Sequence, residues 1–287
     1  MKKILISSGK GGVGKSTISV GLARALRDLG YKIGLCDSDF TMPDVLIMLG
    51  NPKAKPILSK DRTLVPLVLE EIKVISWGSL WREGSAITIE DRQIDEDDLR
   101  MVINLIKSDR SDKAIRYLEE LIENPGGATY YMKQMFEDGV IEWGDIDWLV
   151  IDSAPTTSGT VRVLTEIGLY GSVLVTQPTN ASLSDVSRTI DMFRKRGVPI
   201  IGLVCNMSDR FELNEEEVRQ FSENNGVPYI ESVPFSENLN GYFTSIATYL
   251  TNNEPVTLQQ KGVGDEWKKT LKELGKLSDL IQTLRGN

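Results

Sequence analysis

Apolar residues along the chain follow two alternating spacings. Short, nearly unbroken apolar runs read as buried strands: "KILIS" from Lys3 to Ser7, "YKIGLCDSD", "EIKVIS", "DWLVIDS", "GSVLVTQ", "VPIIGLVCNM" and "VPYIES". Between them lie segments with a three- to four-residue period. "STISVGLARALRDLG", from Ser16, reads as a helix that stops at Gly30. "SLSDVSRTIDMFRKRG" reads as one ending at Gly197, and "NEEEVRQFSENNG" as another. "PDVLIMLG" predicts a short helix opened by Pro43. Over 265–285, Trp267, Leu271, Leu274, Leu277, Ile281 and Leu284 share one face of a last helix. Strands separated by helices need crossover connections, so the expected fold is α/β, with a doubly wound, mostly parallel sheet. "DWLVIDS" is apolar on both faces, as a covered parallel strand requires.

One stretch interrupts the alternation. Leu99, Val102, Ile103 and Ile106 have helical spacing, as do Ile115, Leu118, Leu121 and Ile122. "SDRSD" between them reads as a turn and "NPGG" as the end of the pair. The expectation is one domain over 1–287 with an inserted helical hairpin at about 85–131. The acidic run Asp95 to Asp98 falls where its first helix begins, which suits the positive end of a helix.

Composition then removes whole classes of chemistry. The 287 residues contain no histidine, so histidine bases, Ser-His-Asp triads and histidine-ligated metals are excluded. The two cysteines, Cys36 and Cys205, are far apart and lack metal-ligand spacing. Net charge is −8, which argues against broad binding to nucleic acid or anionic lipid. No window approaches the apolar length of a membrane span, and no targeting segment is recognised at the start. A cytoplasmic protein is expected.

The chemistry is concentrated in "SSGKGGVGKST", Ser7 to Thr17. Gly9, Gly14, Lys15 and Ser16 satisfy G-x-x-x-x-G-K-[ST] between a strand and a helix, which identifies a phosphate-binding P-loop. Glycines let backbone N–H groups turn inward around an anion, so Gly9, Lys10, Gly11, Gly12, Val13 and Gly14 are assigned to the nucleotide. The next helix points its positive end at the same anion. Lys15 is expected to span the β- and γ-phosphates, Thr17 to reach the α-phosphate, and the Ser16 hydroxyl to join a Mg²⁺ shell. Asp152 ends an apolar strand beside the loop, and Asp37 and Asp39 end a neighbouring one. Asp152 and Asp37 are therefore candidates for holding Mg²⁺ from two sides, at the strand ends where open sheets bind ligands. For Asp37 and Asp39, a pair of turn-capping aspartates would be the plain alternative.

Lys10 is not needed to repeat the work of Lys15. "GKGGVGKST" resembles the deviant Walker A motif of the MinD/ParA/Mrp class of ATPases. The resemblance implies that Lys10 reaches across a face-to-face homodimer to the partner's ATP, and that Asp39 orients the attacking water in slow hydrolysis. "CDSDFTMPDVLIMLG", "WGDIDWLVIDSAP", "VLVTQPTNASLSDVSRTIDMFRKRGVPIIGLVCNMS" and "GVPYIESVPFSENL" extend it over most of the chain. They are similar to the Mrp-type iron–sulfur cluster carrier ATPases. Asn206 would then address adenine through an amide that both donates and accepts, with Pro234 against the base. "NMSD" also has an Asn-x-x-Asp spacing, so Asp209 keeps a guanine reading open. Otherwise Asp209 reads as a cap for the helix near Asn214.

The sequence departs from that family in three places. The Cys-x-x-Cys that follows Asn-Met-Ser is absent from "NMSDRFELNEEEVRQF", and Cys36 and Cys205 read as small core residues. Thr156 stands at the family's glycine in "DSAPTTSGT", where Gly159 is a substitute. The 85–131 insertion matches nothing and is the candidate surface for an unknown partner or cargo. The expected function is a Mg·ATP-driven switch or carrier that does not hold the family's cluster. Two alternatives are a MinD/ParA-like positioning or partition ATPase and a metabolic P-loop enzyme. For the first, the last helix, with Lys268, Lys269, Lys272 and Lys276, would be the anchor.

Overall fold

The computed structural model describes residues 1–39, 43–58, 63–76, 136, 140–154, 164–165 and 167–258. The expected hairpin at 85–131, the helix at 265–285, Thr156 and Gly159 lie outside the described residues.

β1 (Lys2–Ser7) leads through the glycine loop into α1 (Lys15–Asp28), which is followed by β2 (Ile33–Asp37). The short α2 (Val45–Met48) is capped at Asp44, so it starts two residues later than Pro43 suggests. β3 (Ile57–Leu58) and β4 (Leu64–Val65) form a small antiparallel pair. β5 (Leu67–Leu69) and β6 (Ile72–Ser76) form a hairpin. β7 (Trp148–Asp152), β8 (Gly171–Thr176), α3 (Asn180–Arg196), β9 (Ile200–Asn206), α4 (Glu215–Asn224), β10 (Tyr229–Val233) and α5 (Asn240–Asn252) complete the order.

The main sheet has eight strands in the order β10-β9-β8-β1-β7-β2-β6-β5. Every pairing is parallel except the edge hairpin β5–β6. Alternation along the strands sorts the core into two layers. Ile4 and Ile6 face one layer with Ile18, Leu22 and Leu26 of α1 and Ile246 and Leu250 of α5. Leu5, Ile151 and Leu203 face the other with Val186, Ile190 and Phe193 of α3 and Val218 of α4. Phe193 is fully buried, which stabilises the fold by about 1.5–3 kcal/mol relative to exposure. The sheet is thus covered on both faces, and its strand ends carry the polar groups that form the site.

Candidate functional site

β1 lies at the centre of the sheet, between β7 and β8. The chain leaves it toward β2 on one side and later crosses to β8 on the other. A crevice forms where the strand order reverses, outside the carboxyl ends of parallel strands. The glycine loop fills that position.

The loop's form follows from two of its glycines. Gly9 runs so close to α3 that a Cβ would sit 2.3 Å from the backbone carbon of Asp185. Gly14 has φ +90° and caps α1, and a Cβ there would meet the Asn206 amide at 2.1 Å. α1 has no side-chain cap and no acidic residue in its first turn. Its first N–H groups and positive end therefore remain available to an anion. Gly11, Gly12, Gly14, Lys15, Ser16, Thr17 and Asp39 line a cavity of about 290 Å³, together with Asp44, Ile47, Met48 and Ser153. A cleft of about 380 Å³ at the opposite end of the sheet involves Lys32 and Asp145, which already neutralise each other.

Behind the loop the carboxylates converge. Asp37 and Asp152 are register partners on adjacent parallel strands, and both are buried. Asp152 Oδ1 accepts from Ser19 Oγ at 2.9 Å, and Ser16 also donates to this carboxylate. Asp37 accepts from the Asp39 N–H at 3.1 Å, the Ser76 hydroxyl at 3.0 Å and the Val45 N–H at 3.4 Å. Burial, followed by the Asp152 charge, pushes Asp37 up to about 8; burial pushes Asp152 up to about 6. Desolvation lowers the Lys15 pKa, opposed by Asp152 and Asp39. Two buried oxygen-rich acids with the Ser16 hydroxyl nearby suit a hard divalent cation such as Mg²⁺.

Lys10 is half-buried on the loop, and its carbonyl accepts from Ser8 Oγ at 2.6 Å. Its ammonium makes no ion pair among the described residues. Asn206 is the last residue of β9, and it pairs in register with Val233. Pro234 is thereby brought beside it. The Asn206 Nδ2 donates to the carbonyl of Val13 at 2.8 Å, so the amide is already half committed. Asp209 does not cap α4. Asn214 does so, in a capping box with Glu217. Asp209 instead accepts from the Phe235 N–H at 2.7 Å and fixes the loop that carries Pro234. That N–H also holds the Asp209 carboxyl below its ordinary pKa.

Gln177 was not singled out by its sequence context. It follows β8, is 7% exposed, and donates from Nε2 to the carbonyl of Gly12 at 3.3 Å. Its partner lies 165 positions away in sequence, so no local pattern reveals the contact.

A glycine cradle on a central parallel strand, a helix start free for an anion, and buried acids on adjoining strand ends define a P-loop NTPase. The family model described as ParA, NUBPL iron-transfer P-loop NTPase, matches residues 1–96 and 124–261, and the chain belongs to this family. Residues 97–123, within the 85–131 stretch, fall between the matched segments. An iron–sulfur cluster carrier protein of Helicobacter pylori is 32% identical over 258 residues, 89% of this chain and 58% of its own length. The corresponding protein of Deinococcus radiodurans is 32% identical over 71% of this chain and 49% of its own. The chain thus spans about half the length of these relatives. A cytosolic Fe-S cluster assembly factor Nubp2 homolog of Drosophila simulans is 32% identical over 71% of this chain and 68% of its own.

Solved structures share the fold. A nucleotide-binding protein of Archaeoglobus fulgidus in complex with ADP superposes with a TM-score of 0.58 at 23% identity, covering 88% of this chain and 89% of its own. MinD of Pyrococcus horikoshii with Mg-ADP gives 0.56 at 18% identity, covering 88% and 90%. Among the described residues no helix is long and apolar enough to cross a membrane.

Proposed function

We propose that the chain is a homodimeric, slowly hydrolysing Mg·ATP switch or carrier of the Mrp class that does not hold an iron–sulfur cluster itself. The observation that carries the reading is the preformed phosphate cradle backed by the buried Asp37–Asp152 pair. In this reading the loop amides and Lys15 take the phosphates, with Thr17 on the α-phosphate. Ser16, Asp37 and Asp152 hold Mg²⁺, which supplies charge to the transferring phosphoryl group. Asp39 orients water. Asn206, with Nδ2 on Val13, offers Oδ1 to the base. An acceptor there suits the exocyclic amine of adenine and repels the guanine carbonyl. Pro234 lies against the same base.

Lys10 acts in trans. Its ammonium lacks an acidic partner among the described residues, which leaves it available for the phosphates of a second copy. The 85–131 stretch, whose middle the family model does not match, is the segment that would recognise a protein partner or cargo. The test is light scattering with a non-hydrolysable ATP analogue and Mg²⁺. Wild type is expected to double in mass, and Lys10→Ala to stay monomeric while still binding nucleotide. The same assembly state for both proteins overturns the trans role.

A further inference from the structure

We propose that Gln177 is a positioning residue that holds the phosphate cradle open to its anion before any nucleotide arrives. This rests on the P-loop reading above. In a planar trans peptide the C=O and the N–H point in opposite directions. The Gly12 carbonyl and the Val13 N–H belong to one such plane, and the Val13 carbonyl and the Gly14 N–H to the next. Gln177 Nε2 takes the Gly12 carbonyl at 3.3 Å, and Asn206 Nδ2 takes the Val13 carbonyl at 2.8 Å. Both carbonyls are thus turned outward by side chains, and both N–H groups are left to face the cradle in which a phosphate would sit.

Gln177 is itself fixed. Its backbone N–H donates to Ser182 Oγ at 3.1 Å in the first turn of α3, and its Nε2 lies 3.2 Å from Met207 Sδ. Met207 holds φ +53°, an uncommon conformation for a side chain of its kind, and its Cε reaches toward Gly14. The ends of β8 and β9 therefore hold two successive loop residues, Gly12 and Val13, from outside. A loop without these contacts must fix its peptide orientations when the anion binds, and that ordering weakens binding.

Gln177→Met keeps the length of the side chain and removes the donor; Gln177→Glu keeps the shape and sets an acceptor against the carbonyl. Calorimetry with inorganic pyrophosphate, ADP and GDP should show affinity reduced roughly threefold to tenfold by Gln177→Met, the worth of one hydrogen bond, and more by Gln177→Glu. The loss should be equal for the three ligands because it acts at the phosphates. The Val13 amide resonance, sharp in the nucleotide-free wild type, should broaden in both variants, while their melting temperatures without ligand stay near wild type. Unchanged pyrophosphate affinity with an unchanged Val13 resonance overturns the proposal. So does a loss explained by a lowered melting temperature alone. A wild-type protein that binds neither pyrophosphate nor nucleotide would instead bring down the P-loop reading.

Discussion

Asp37 sits among apolar strands with a second carboxylate opposite it, an arrangement that opposes folding and favours a cation. Below the ordinary aspartate range both the folded and the unfolded chain carry it protonated, and it costs nothing. As pH rises from 3.8 toward about 8, the unfolded chain ionises and the folded one does not, so metal-free stability falls. Asp37→Asn removes that ionisation, and the Ser76 hydroxyl can still bond the amide. The variant is expected to gain about 1–3 kcal/mol more at pH 8 than at pH 5 without metal. It should also lose the Mg²⁺-dependent tightening of nucleotide. Denaturant titrations at the two pH values check the first part; a pH-independent difference from wild type would contradict it. At this scale the sequence showed the residues whose type is the signal: the glycines, the lysines, and the acids ending apolar runs. Gln177 and the half-committed amide of Asn206 were hidden, because their roles come from carbonyls that only the folded loop brings near.

Among the elements, the parallel strands were legible because burial on both faces leaves them almost wholly apolar. Two features were not. α5 has Phe243, Ile246, Ala247 and Leu250 at helical spacing, yet its threonines, tyrosines and isoleucine favour strands, and Leu239 supplies no side-chain cap. What makes it helical is its packing on α1, where Phe243 lies over Gly21. The β5–β6 hairpin hid behind its turn. Glu70 and Glu71 have φ +49° and +64°, the form usually marked by Asn-Gly. Glu70 is held by Arg24 in a two-pronged pair at 2.6 and 2.7 Å, with Arg27 beside it. Among the described residues Glu71 forms no comparable pair. Glu71→Gly should therefore relieve left-handed strain and stabilise the protein by about 0.5–1 kcal/mol, read as a higher urea midpoint with an unchanged slope. A midpoint at or below that of wild type would show that the turn is not strained.

For the whole molecule, sheet order decides what the chain can carry. An iron–sulfur cluster needs several thiolates within one coordination sphere. The only cysteines are Cys36 on β2 and Cys205 on β9, both fully buried. β7, β1 and β8 lie between those strands, so four strand spacings, about 19 Å, separate the two thiols. Burial also pushes the Cys205 thiol up to about 12, far from the thiolate that iron requires. A cluster shared by two copies would need a core strand from each to open. Anaerobic incubation with ferrous iron and sulfide, followed by desalting, should leave no visible chromophore, with or without ATP and Mg²⁺. A disulfide reagent at pH 8 should label neither thiol in the native protein and both after denaturation. A stable chromophore, lost when either cysteine becomes serine, would overturn the reading. The fold would then have to part its central strands to expose the ligands. If no cluster binds, the nucleotide cycle acts on something this chain touches rather than on metal it holds.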